Sequence, residues 1–255
     1  MQTHPTLEPR TTATSSAKQP TRRVTDAPTR MFHWLFATTF TGAYLTAESE
    51  HWRAMHVTLG YMFAGLLVFR LLYSMWGPRQ ASLAMLWRKL SAAPAWLRSL
   101  SEFATPSAAT TVVNWRQGQN LALALAIVLM LGLVAPLTLS GYATYNDWGD
   151  LWGGDWLEEV HAFFGDALLA IVLLHLALIA GLSLLRRSNL ALPMLTGRTP
   201  GKGPNVIEKN RVALAWVLLL AVLAFGAWQW QETPAGLIPA GGLSATNLLQ
   251  DEDDD

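Results

Sequence analysis

The chain has 255 residues, 51% hydrophobic and 14% charged, with 12 tryptophans, a mean hydropathy of +0.25 and no net charge. This balance suits lipid better than water, and no nucleic-acid partner is expected. There is no cysteine, which excludes disulfides, thiolate zinc sites, iron–sulfur clusters and thioether-linked haem.

Residues 1–25 are rich in Thr, Ser, Pro and Gln without apolar periodicity and are expected to form a disordered cytoplasmic tail. Five apolar stretches follow, at 30–47, 55–76, 119–142, 159–185 and 212–231. Each is near or above the roughly 20 residues that cross a bilayer. Thr38, Thr39, Thr41 and Thr46 dilute the first, and a cleavable signal peptide would share its pattern; cleavage would remove His33. In the 77–118 connection, LAMLWRKL and PAWLRSL set Trp and Leu beside Arg and Lys, which fits either a segment lying at the inner interface or a plain loop. Residues 191–211 form a basic connection whose GRTPGKG lacks the strand and helix that a phosphate loop needs. Residues 232–255 read as an acidic, flexible external tail ending in DEDDD.

The charges are segregated. Lys and Arg number five in 1–30, five in 77–118 and six in 186–211, so sixteen of eighteen fall on one side of a five-helix arrangement. Basic residues collect on the cytoplasmic side, which puts the N-terminus inside and the C-terminus outside. The external segments then carry Glu48, Glu50, Asp147, Asp150, Asp155, Glu158, Glu159 and the terminal acids.

Four histidines fall in or just inside the apolar stretches: His33, His56, His161 and His175. Ionisable side chains there usually face the bundle interior or serve a function. His161 and His175 lie fourteen residues apart, nearly four helical turns, so they share one face about 21 Å apart along the axis. Counted from the external boundary, His56 and His161 lie at one depth, and His33 and His175 at another. Two imidazoles on facing helices at equal depth suit axial ligation of a haem iron from both sides. Gly60 and Gly165 each follow a histidine by four residues; they would give room to a flat macrocycle, or serve close helix packing. Arg70 follows His56 by fourteen; it would hold a haem propionate, or snorkel to the interface. Asp166, the one acid inside a stretch, would orient a ligand, take part in proton exchange or sit in a hydrated pocket. His4, His51 and Met55 are assigned no role.

DAPTRMFHW at 26–34, HVTLG at 56–60 leading to Arg70, and the His161/His175 pair resemble the bacterial di-haem b-type cytochrome family, which includes cytochrome b-561 and the b-type subunit of Ni,Fe-hydrogenases. The resemblance covers roughly 24–190. It implies an all-α integral membrane protein in which a four-helix domain, 26–190, holds two non-covalent b-type haems, His33 with His175 and His56 with His161 as axial pairs. The fifth stretch, 212–231, is an addition to that family's four-helix core.

An iron held by two imidazoles has no vacant position and passes electrons. The expected function is respiratory electron transfer in the inner membrane, between the quinone pool and a periplasmic redox partner such as a c-type cytochrome. The alternatives are direct action on a small substrate, quinol or superoxide, at the outer haem, and a haem-free membrane scaffold.

Overall fold

The computed structural model describes residues 20–103, 113–151, 156–233 and 237. Five long helices dominate: α1 (Ala27–Leu45), α2 (Arg53–Trp76), α5 (Trp115–Tyr145), α6 (Trp156–Leu185) and α8 (Val212–Glu232). Between them lie α3 (Leu83–Leu90), α4 (Ala93–Phe103), the single turn α7 (Leu192–Thr196), and two short strands, β1 (Thr21–Arg23) and β2 (Arg198–Pro200). The long helices pack in the order α8, α1, α2, α5, α6, and α6 lies against α5 along its length.

Among the described residues, four helices are long and apolar enough to cross a membrane: α2 with the turn ahead of it (Glu50–Trp76), α5, α6 and α8. The first apolar stretch is a helix but does not reach that apolarity: Arg30 and His33 lower it most, and the threonines add to this. Three of the threonines are satisfied by main-chain carbonyls one turn earlier. The hydroxyls of Thr38, Thr39 and Thr46 donate to the carbonyls of Trp34, Leu35 and Gly42 at 2.8–2.9 Å, a pairing that lets a hydroxyl sit in an apolar setting.

One buried layer joins α1, α2, α5 and α6: Phe40, Phe63, Leu67, Val134, Leu137 and Leu168. Phe40, Phe63 and Leu168 lie seven residues from His33, His56 and His161 in turn. Seven residues are two helical turns, so the layer sits midway between the two histidine depths. Phe36 stacks on Phe63 with ring centroids 4.1 Å apart. Phe32, Leu66 and Leu218 form a second cluster that fastens α8 to α1 and α2. Such contacts stabilise a lipid-embedded bundle through packing, since expulsion from water is already complete there.

One end of the bundle is tied by polar groups. Asp26, fully buried, caps α1: its Oδ1 accepts from the Thr29 N–H at 3.3 Å and its Oδ2 accepts from the Tyr73 hydroxyl. Arg211 donates from Nη1 to the Tyr73 oxygen at 3.2 Å and lies over the Tyr73 ring at 5.8 Å. Its backbone is left-handed, φ 47°, a conformation that costs a non-glycine residue about 1–2 kcal/mol; the two contacts of its side chain hold it there. The Ala27 N–H donates to the Asn210 carbonyl at 3.1 Å.

The connections are more ordered than their composition suggests. The tail expected to be disordered to residue 25 is ordered from Thr21, because β1 pairs antiparallel with β2 and the Val206 N–H donates to the Arg23 carbonyl at 2.9 Å. Residues 1–19 lie outside the described residues, as does the acidic tail beyond Thr233 apart from Leu237. The 191–211 connection folds back onto α1, where Trp34 Nε1 and Arg30 Nη1 donate to the carbonyls of Met194 and Leu195. LAMLWRKL forms α3, its first turn capped by Ser82, and PAWLRSL lies within α4.

Candidate functional site

His56 lies in the first turn of α2 and His161 in the second turn of α6. Their rings stand next to each other, centroids 6.0 Å apart and planes nearly perpendicular at 87°. His56 Nδ1 is 2.8 Å from the Ala43 carbonyl of α1, and His161 Nδ1 is 3.0 Å from the Leu137 carbonyl of α5. A carbonyl only accepts, so in both rings the Nδ1 carries the proton. Each neutral imidazole then keeps its lone pair on Nε2. Ser140 donates to the same Leu137 carbonyl at 3.0 Å, using that oxygen's second lone pair.

Gly141 of α5 lies against the His161 ring: a β-carbon built there would stand 2.6 Å from Cε1 and 2.9 Å from Nδ1. Gly60 is different, since a β-carbon there would meet nothing within 4 Å, and one at Gly165 would meet only Leu137 Cδ1 at 3.9 Å. Neither Gly60 nor Gly165 is required by close helix contact.

His33 of α1 and His175 of α6 lie within electrostatic range of each other. The buried Nδ1 of His175 has no hydrogen-bond partner. Arg70, on α2 at this same end, is 9% exposed, and its Nη1 is also buried without one, although Asp26 and Tyr73 are within electrostatic range. Unsatisfied buried polar atoms are uncommon in folded proteins; Arg22 Nε, Arg30 Nε and Thr144 Oγ1 are the others among the described residues.

The other sequence candidates separate from these pairs. Asp166 is exposed on α6 and its Oδ1 accepts from the Tyr44 hydroxyl at 3.3 Å. His51 packs edge-on against Trp52 in the turn before α2. Among the described residues no three His, Asp or Glu side chains converge on a metal position. The histidines meet in twos, too few for a closed zinc site of four ligands.

Two imidazoles with free Nε2 lone pairs suit one iron between them: two bonds of about 2 Å and the two ring radii put the centroids roughly 6 Å apart. The 6.0 Å spacing of His56 and His161 fits haem. The structure adds Gly141 and the carbonyls of Ala43 and Leu137 to what the sequence suggested. The carbonyls carry no sequence signal, being common to every residue.

A family model, prokaryotic cytochrome b561, matches residues 24–197. The match takes in all four histidines and ends before α8. No curated protein and no solved structure matches the chain. With its apolar helices and a matched segment of more than half its length, this is an integral membrane protein of electron transfer, and the chain belongs to the prokaryotic cytochrome b561 family.

Proposed function

We propose that the chain is a di-haem b-type cytochrome that carries electrons between the quinone pool and a redox protein on the external side, such as a c-type cytochrome. His56 and His161 hold one haem and His33 and His175 the other. The nearness of His56 to His161, each with Nδ1 on a main-chain carbonyl, carries the proposal. Bound haem supplies a one-electron couple whose iron, held by imidazole on both sides, has no open position.

The protein's part is to hold that couple still and dry. The Ala43 and Leu137 carbonyls fix ring orientation and make the Nε2 atoms better donors. The open space beside Gly60, and the absence of any tight contact at Gly165, would give room to the macrocycle held by His56 and His161. Arg70, whose Nη1 is unpartnered, would hold a propionate of the haem bound by His33 and His175. The Phe40, Phe63 and Leu168 layer keeps water from the space between the two sites.

In this reading α1 is a fifth span, the hydroxyls of Thr38, Thr39 and Thr46 being satisfied internally. The basic residues put the N-terminus in the cytoplasm and the C-terminus outside. The acidic external segments attract a partner with a basic rim, through forces that weaken with salt.

A pyridine haemochrome assay with a dithionite-reduced spectrum tests the proposal. The expected result is about two b haems per chain, reduced by a quinol in proteoliposomes. A colourless protein would sink it, and two haems that no quinol reduces would remove the quinone pool as donor.

A further inference from the structure

We infer that the cleft between α3 and the start of α5 is a binding site for the phosphate of an anionic membrane lipid. The cleft, about 400 Å³, is lined by Lys89 and Ala92 on one side and Asn114, Arg116, Gln117, Asn120 and Leu121 on the other. Two cations stand in the lining and no Asp or Glu does.

The asparagines add to this bias. Asn114 Oδ1 accepts from the Gln117 N–H at 3.0 Å, and Asn120 Oδ1 accepts from Arg186 Nη2 at 3.2 Å. With both oxygens engaged, each amide has its NH₂ donors left for a ligand. The main-chain carbonyl of Asn114 is likewise taken, by Trp96 Nε1 at 3.1 Å. Arg186 brings a third positive charge behind Asn120. The cleft therefore presents donors and positive charge where the side-chain oxygens of its two asparagines are already occupied, which matches a phosphodiester.

Its position says where that phosphate comes from. The cleft opens at the beginning of a helix long enough to cross the membrane, the level at which lipid headgroups lie. Trp87 and Trp115 flank it, 73% and 60% exposed, as tryptophans do at the membrane interface. Leu121 and the apolar α5 continue from it toward the bilayer, alongside which an acyl chain would run. A zwitterionic headgroup would bring an ammonium for which the lining offers no carboxylate, so the lipid is anionic, of the phosphatidylglycerol type.

Native mass spectrometry of the full-length protein, titrated with phosphatidylglycerol or phosphatidylcholine, tests this. One phosphatidylglycerol is expected to bind at least about tenfold more tightly than phosphatidylcholine, a ratio on the order of one Lys or Arg at a charged surface. The Lys89→Gln/Arg116→Gln variant should bring the two lipids level, while Arg98→Gln, a basic residue outside the cleft, should keep the preference. Equal affinities in the unaltered protein, or an equal loss in Arg98→Gln, overturn the proposal. Millimolar inorganic phosphate should leave phosphatidylglycerol bound; displacement would overturn the lipid as source in favour of a free phosphate.

Discussion

Gly141 lies so close to His161 that a β-carbon would stand 2.6 Å from its Cε1. The helix that carries no histidine thus sets where an imidazole of its neighbour stands, using an absent side chain and the Leu137 carbonyl one turn earlier. Gly141→Ala should push the ring off that carbonyl and alter the spectrum of one haem only. Gly141→Val should lose about half of the bound haem, as measured by pyridine haemochrome. Full, spectrally unchanged haem in Gly141→Val would show that the ring position is not used.

The pairing itself is testable by non-additivity. His56→Ala and His161→Ala should each reduce haem from two to about one per chain, and the double variant should do no worse than either single change. His33→Ala combined with His161→Ala should leave none. A double variant of His56 and His161 without any haem would refute the pairing.

Asp26 is a stability determinant apart from the haem ligands. Asp26→Ala removes an N-cap, about 1 kcal/mol, and leaves the buried Tyr73 hydroxyl without its acceptor, about 1–3 kcal/mol. Thermal unfolding in detergent should fall by several degrees. Asp26→Asn has one acceptor oxygen for two donors and should recover only about half of the loss; equal destabilisation by both would place the effect in charge rather than in hydrogen bonding.

Arg70→Gln removes a buried positive charge at the His33 and His175 end. Loss of a nearby cation favours the oxidised iron, so one of the two midpoint potentials should drop by tens of millivolts, where roughly 59 mV is a tenfold change for one electron. The other should hold. A redox titration in which neither moves would restrict Arg70 to packing.

The helices were legible because apolar length is a strong local signal, and the found limits of α2, α5, α6 and α8 lie within a few residues of the expected stretches. The nearness of His56 to His161 was legible for the same reason: position along a helix converts directly into height. What the sequence concealed depends on proximity between distant segments. Thr21–Arg23 look like the rest of a polar tail until Arg198–Pro200 lies beside them. Asp26 and Tyr73 are forty-seven residues apart, and neither shows that it waits for the other. Gly141 had no histidine on its own helix to draw attention to it. Gly60 and Gly165 could be identified by spacing, yet only the structure showed that no neighbouring helix presses on Gly60.

The layer of Phe40, Phe63 and Leu168 has an electrical meaning. Its side chains carry no hydroxyl, carboxylate or imidazole along which a proton could hop, and the hydroxyl of the neighbouring Thr39 is engaged on the Leu35 carbonyl, so under the proposed function an electron passes the middle of the bilayer without a compensating positive charge. Each such passage is then a current through an insulator. It works with or against the membrane voltage at about 2.3 kcal/mol per 100 mV, and the direction of traffic would respond to how strongly the membrane is energised.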